Sequence, residues 1–301
     1  METDELLYIS VIITAYDRKE FLLNAIKSVV NQTLDKKYYE IIVIKNFRDE
    51  NIDNFINENK INHILVDGTV GEFLHAGMDA SRGEIICFLD DDDLFAKEKL
   101  RVIYREFKYH NNLCYYHDGH IVVNEKYQKL IKKIGNAISF NLSSISVRKS
   151  ILNLNYLKKI SANTDHFMYL SALEANKDIV NGKKTLTYYM YHSSSSRLIG
   201  NDINQIITYK KRILEKDLKQ FEMFSGMFNA QKSIDYIYRK ITNLEIDYYI
   251  FYGNKKPTNA IIILKKSDRP FYARLEIFLL YSLVRLHGSS RSLVIRMLLK
   301  Y

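Results

Sequence analysis

Short apolar runs alternate with amphipathic stretches along the first third of the chain. Tyr8–Ala15, Tyr39–Ile44, His63–Val66 and Ile85–Leu89 are rich in Ile and Val and have the length of buried strands. Within Arg18–Gln32, residues Phe21, Leu22, Ala25, Ile26, Val29 and Val30 recur at helical spacing, and helices are expected over Asn51–Asn59 and Gly71–Ser81. Strand and helix in alternation imply an α/β fold, a parallel sheet with helices on both faces. Ligands of such sheets gather beyond the C-terminal strand ends. Here those ends are Thr14–Asp17, Lys45–Phe47, Asp67-Gly68 and Asp90–Asp93.

Further along, Leu94–His110 reads as a helix. Leu113–His117 and His120–Asn124 read as a strand pair around the turn signal Asp118-Gly119. A strand is expected within Ile138–Val147, a short helix over Arg148–Leu154, a helix over Thr164–Glu174 and a strand over Thr185–Tyr191. From about residue 203 the pattern is helical, with one apolar stripe through Ile206, Tyr209, Ile213, Leu214, Leu218 and Phe221 and another through Ile234, Ile237, Tyr238 and Ile241.

Composition narrows the class. The chain has 301 residues, 47% of them hydrophobic and 26% charged, which is a globular balance. Two cysteines, Cys87 and Cys114, make neither a disulfide framework nor a metal motif. The acidic start (Glu2, Asp4, Glu5) is unlike a secretory leader, and no apolar run reaches the ~20 residues that span a bilayer, so a cytoplasmic location is expected. Residues 1–199 carry 26 Lys+Arg and 26 Asp+Glu, so the whole net charge of +9 comes from residues 200–301, with 18 and 9. No nucleic-acid-binding motif accompanies it, and no nucleic-acid partner is expected.

Phe88-Leu89-Asp90-Asp91-Asp92-Asp93 is the most telling segment. Two like charges ~4 Å apart repel by about 4 kcal/mol at an effective dielectric of ~20. A helix N-cap uses one acid, or two at most. Four suit a hard divalent cation, Mn²⁺ or Mg²⁺, and a phosphate-bearing ligand.

Four segments in order resemble a family 2 glycosyltransferase of the inverting GT-A type over roughly residues 8–200: SVIITAYDRKEFLLNAIKSVVNQTL, GEFLHAGMDASRGEIICFLDDDD, NTDHFMYLSALE and YYMYHSSSSR. The resemblance implies a Rossmann-like, mostly parallel sheet flanked by helices. Residues 1–110 would form its nucleotide-sugar-binding half, 111–200 its acceptor-binding half, and 201–301 a basic amphipathic helical module. It implies a nucleotide-sugar donor, an acceptor hydroxyl on a glycan or lipid-linked carrier, and Asp165 as catalytic base. Asp92 and His192 would ligate the metal. Thr14, Ala15, Tyr16, Asp17, Asn46, His75, Asp90, Asp91 and Arg197 would face the donor.

Three positions depart from the family pattern. Ile44-Lys45-Asn46-Phe47 replaces the paired acids that commonly end the second strand, leaving Asn46 for the base edge and Lys45 and Phe47 for phosphate or stacking. Thr164 stands where an acid usually precedes the base, and Leu74 where an arginine is frequent. These departures leave open a catalytically impaired relative that binds sugar nucleotides or acts as a membrane-associated partner protein. A phosphoryl-handling enzyme on a Rossmann-like sheet fits less well, because TAYDR holds no glycine for a phosphate loop. Residues 265–301, with 8 Lys+Arg and 2 Asp+Glu beside an apolar stripe, are expected to meet an anionic membrane surface or to pack on the catalytic domain.

Overall fold

The computed structural model describes residues 8–126, 128, 141–191, 203–252, 275 and 277–282, with 203–207 described by backbone. The chain divides into two compact units, Met1–Ser195 and Ser196–Tyr301. The first runs β1 (Ile9–Ala15), α1 (Leu22–Val30), β2 (Tyr39–Lys45), α2 (Glu50–Glu58), β3 (Asn62–Leu65), α3 (Val70–Ala80), β4 (Ile85–Asp90), β5 (Leu94–Phe95), α4 (Lys99–Tyr109), β6 (Leu113–Val123), β7 (Ile145–Arg148), α5 (Leu154–Leu157), α6 (Thr164–Ala175) and β8 (Asp178–Met190). The second holds α7 (Ile203–Ser225) and α8 (Gln231–Tyr252).

Among the described residues, eight strands form one sheet in the order β3-β2-β1-β4-β7-β6-β8-β5. β3, β2, β1 and β4 are mutually parallel, with Ile12 facing Ile42 on one side and Phe88 on the other. β7 then pairs antiparallel with both β4 and β6, while β6 and β8 are parallel. Both faces of the central strands are covered. Val11, Ile13, Cys87 and Leu89 pack with Leu22, Ala25, Ile26 and Val29 of α1 and with Ile103 and Phe107 of α4. On the other face Ile12 meets α3 so closely that a Cβ on Gly77 would lie 2.6 Å from its Cγ2. Each such fully buried aliphatic side chain contributes roughly 1.5–3 kcal/mol. That double burial is why these strands read as continuous apolar runs.

Caps fix the helix starts. Thr69 and Glu72 close a reciprocal capping box at α3, and Asp49 accepts the Ile52 N–H at α2. α6 begins differently, from Asn163 in the left-handed region (φ 56°) with no side-chain cap.

Four expectations are corrected. Leu94-Phe95 is a strand, held by Thr187 and Tyr188 of β8, and the helix starts only at Lys99. Asp118-Gly119 is not a hairpin turn: β6 runs through it with shifts of register, because the Asp118 carboxylate is satisfied inside the fold. Arg148 ends β7 and is followed by a 3₁₀ turn, Lys149–Ile151, before α5. β8 begins at Asp178, seven residues ahead of the expected strand.

In the second unit, Ile246, Tyr249, Ile250, Leu280 and Tyr281 form a core cluster. Ile234 and Tyr238 of the expected stripe are exposed, while Tyr236 and Ile237 are buried. Among the described residues no helix is long and apolar enough to cross a membrane.

Candidate active site

Because β1, β2, β3 and β4 are parallel, their C-terminal ends and the polar residues after them lie along one edge of the sheet. Thr14 stands in register with Asp90, and Ala15, buried, with Lys45. The Asp91 N–H donates to the Thr14 carbonyl (3.1 Å) and the Asp93 N–H to the Asp90 carbonyl (3.1 Å), so the acidic run is a tight turn anchored on β1. From beyond β4, Ser143 Oγ accepts the Asp90 N–H (3.0 Å), and the Met190 N–H of β8 donates to Asp93 Oδ1 (2.9 Å).

The four aspartates occupy different surroundings. Burial first, then the charges of Asp92 and Asp91, push the Asp90 carboxyl up to about 7; Arg18 opposes this, and the charge of Asp165 adds to it. Asp93 is also raised well above the usual carboxylate range by burial, then by Asp92 and Asp90. Burial raises Asp91, with Arg18 opposing. The turn thus holds more negative charge than its surroundings solvate.

Arg18 answers part of that charge. Its Nε donates to Asp91 Oδ2 (2.7 Å), its Nη2 to Asp91 Oδ1 (2.5 Å), and the same Nη2 lies 2.7 Å from Asp92 Oδ2. Reading the sequence missed this residue, although it lies one position beyond the strand-end cluster Thr14–Asp17. The available signal was charge: four acids in a row imply a nearby cation of the chain's own.

At the end of β2 the side chains are already engaged. Asn46 Oδ1 accepts the Asp17 N–H (2.8 Å) and Asn46 Nδ2 donates to Asp17 Oδ1 (2.7 Å), with Asp17 in the left-handed region at φ 54°. Lys45 turns inward instead of towards a ligand: fully buried, it pairs with Asp53 (2.7 Å) and donates to the Phe47 carbonyl (2.7 Å). That ion pair holds the Asp53 carboxyl below its usual range against the opposing effect of burial. Beside it, Asn46, Phe47, Arg48, Leu65, Val66 and Asp67 line a cleft of about 320 Å³. Tyr16 is 57% exposed, tilted against Phe73 at 5.8 Å.

Asp165 lies in the first turn of α6, half-buried, and its Oδ1 accepts the His166 N–H (2.8 Å). Its charge makes a small contribution at Asp90, which it raises, and at His117, where it opposes the lowering. His75 is half-buried on α3. His117, at the end of the first strand expected before Asp118-Gly119, is buried, and burial followed by the charges of Lys99 and His120 lowers its imidazole to about 4. His192 and Arg197 lie outside the described residues, as does most of 265–301.

The donor set of the turn, all carboxylate oxygens, is of the kind that suits a hard divalent cation, and Asp90 is pushed up to about 7 by burial first and then by its acidic neighbours. Among the described residues, no group of three His, Cys, Asp or Glu side chains is gathered as a ready metal centre.

The family description "Glycosyl transferase family 2" matches residues 10–172, more than half of the chain. The chain belongs to glycosyl transferase family 2. An uncharacterized glycosyltransferase of Rickettsia conorii is 34% identical over 124 residues, 39% of this chain and 20% of that protein. A poly(ribitol-phosphate) beta-glucosyltransferase of Bacillus spizizenii is 29% identical over 100 residues, 31% of this chain and 16% of that protein. The matched segment thus spans a fifth or less of these curated relatives. S. aureus TarS 1–349, solved in complex with UDP-GlcNAc, superposes with a TM-score of 0.55 at 15% identity, covering 92% of this chain and 88% of that one. The two share the α/β architecture expected of a GT-A domain.

Proposed function

We propose that this chain is an inverting, metal-dependent glycosyltransferase that moves a sugar from a nucleotide-sugar donor to an acceptor hydroxyl. The observation that supports the reading is the acidic turn at the C-terminal end of β4 in a family 2 domain, to whose Asp90 carboxyl the charge of Asp165 adds a small contribution. A transferase of this kind needs a base for the acceptor and a charge-handling site for the leaving group in one crevice.

Asp165 takes the proton of the attacking hydroxyl as the new oxygen–C1 bond forms on the face opposite the leaving group. The C1–oxygen bond to the diphosphate breaks, and its electron pair leaves with the diphosphate. Asp92, with Asp90, would hold Mn²⁺ or Mg²⁺, which supplies Lewis-acid stabilisation of that leaving group when bound. His192 would complete the set. Asn46 and Asp67 edge the cleft at β2 and β3, where polar groups can read a base flanked by Phe47 and Leu65. Tyr16, Asp17, Thr14 and His75 would face the donor in this reading, and the family resemblance adds Arg197 to them. The TarS complex with UDP-GlcNAc favours a uridine diphosphate sugar. The acceptor is a glycan or lipid-linked hydroxyl, and the Bacillus relative's name adds polyol-phosphate polymers to that class.

A thermal-shift screen of UDP- and GDP-sugars with Mn²⁺, followed by donor turnover, tests this. A donor at 100 times its Kd stabilises by ~2.7 kcal/mol, a readable shift. Asp165→Asn is expected to keep the shift and lose about 10²–10⁴-fold in turnover. Asp92→Ala is expected to lose both. A shift without turnover in the unaltered protein across a broad acceptor panel would assign it to the catalytically impaired relatives, which Leu74 and Thr164 favour. No shift with any sugar nucleotide would sink the donor assignment.

A further inference from the structure

Arg18 binds the acidic turn unevenly. Toward Asp91 it forms a two-pronged fork, Nε to Oδ2 at 2.7 Å and Nη2 to Oδ1 at 2.5 Å, and the Asp91 side chain is only 6% exposed. Toward Asp92 the same Nη2 lies 2.7 Å from Oδ2, and that side chain is 18% exposed. Bidentate guanidinium–carboxylate pairs are the stronger and more directional kind. The guanidinium also lies 6.0 Å from the centre of the Phe21 ring, just ahead of α1. The Asp91 fork is the anchor, and the Asp92 contact, which shares Nη2 with it, opens by movement of the Asp92 side chain.

We propose that Arg18 is a resident counter-cation of the turn and that a divalent ion must draw Asp92 away from it, while the fork to Asp91 stays closed. The inference rests on the reading of Asp92 as a metal ligand. A metal ~2.1 Å from an Asp92 oxygen and a guanidinium nitrogen 2.7 Å from the same carboxylate place two positive centres almost in contact. The repulsion between them weakens metal binding as long as Asp92 stays on that nitrogen. Once Asp92 has moved, Nη2 keeps one N–H on Asp91 and offers the other, a charged donor, for which a phosphate oxygen of the diphosphate is the natural new acceptor.

Metal and nucleoside diphosphate therefore assist each other. Each ligand is held more tightly when the other is present, by the same factor in both directions. The protein holds metal weakly until donor arrives, which keeps the site closed to free cations.

Calorimetric titration of Mn²⁺ into the full chain tests this without any turnover assay. In the absence of nucleotide, Arg18→Gln is expected to bind Mn²⁺ about tenfold or more tightly than the unaltered protein, because a competing charge is gone. Arg18→Lys, a point charge that cannot fork, should fall between the two. Adding UDP should tighten Mn²⁺ binding in the unaltered protein by a larger factor than in Arg18→Gln.

Equal or weaker Mn²⁺ binding in Arg18→Gln would overturn the proposal. If Arg18→Gln does not fold, Arg18→Lys decides by the same comparison. Asp92→Asn separates the two levels of the argument. If it abolishes Mn²⁺ binding while Arg18→Gln changes nothing, the metal assignment stands and the role of Arg18 falls. If Asp92→Asn matches the unaltered protein, or no variant takes up Mn²⁺, both fall.

Discussion

Asp17 and Asn46 show how residue choice at one strand end depends on its neighbour. The Asn46 amide spends one N–H on Asp17 Oδ1 and its oxygen on the Asp17 N–H. An aspartate at 46 would set a second carboxylate 2.7 Å from the first and lose the donor. Restoring the family's usual acid there is thus not a neutral change. Asn46→Asp alone is expected to destabilise by about 1 kcal/mol, reduced by the solvent around this exposed pair, and to weaken donor binding. Asp17→Asn in the same chain should recover both, since the amide and the carboxylate have then only changed places. Urea unfolding and donor titration of the two single variants and the double variant check it, and additive losses would refute the coupling. At this scale the sequence exposed charges in a row. It did not expose pairings made by the fold: the acidic turn was visible in Asp90–Asp93, but Arg18, Ser143 and Met190 come to it from other elements.

Elements carry the same lesson through β6. Asp-Gly between two apolar runs is a strong hairpin signal, yet here Asp118 is fully buried within one strand, paired with Lys99 Nζ of α4 (2.7 Å) and accepting from Thr187 Oγ1 of β8 (2.8 Å). Lys99 also donates to Thr187 Oγ1 and to the Ser143 carbonyl, and Ser143 in turn receives the Asp90 N–H. One buried lysine therefore ties α4, β6, β8 and the loop behind the acidic turn. The parallel half was legible because both sheet faces are apolar and each strand announces itself. The mixed half beyond β4 was not, since its polar residues are satisfied across elements and imitate turns. Lys99→Met is expected to cost about 3–5 kcal/mol, the usual penalty for stranding a buried charge. Lys99→Met with Asp118→Leu should recover most of that loss in a urea melt while still impairing turnover, because the tie to Ser143 stays cut. Full recovery of turnover in the double variant would show that this network has no part in holding the turn.

For the molecule as a whole, buried titratable groups make stability depend on pH in two opposing directions. Asp90, raised to about 7 chiefly by burial, favours the folded state while protonated, and that contribution fades as pH climbs from the ordinary carboxylate range through 7. His117 acts the other way. Burial, the Lys99 charge of α4 and His120 of its own strand lower it to about 4, while Asp165 of α6 opposes them. Below ~6.5 the unfolded chain takes up a proton that the folded chain refuses. The stability His117 provides is complete above ~6.5 and disappears as pH falls to 4, up to about 3 kcal/mol. His117→Asn, which keeps a polar side chain but cannot charge, isolates this contribution from the acids. Urea unfolding is expected to show the unaltered protein losing more stability than His117→Asn between pH 7.5 and pH 4.5, with the two curves converging toward the acid end. Parallel curves over that range would mean that His117 is as free to charge in the fold as it is in the unfolded chain, and that the packing around it does not exclude the proton.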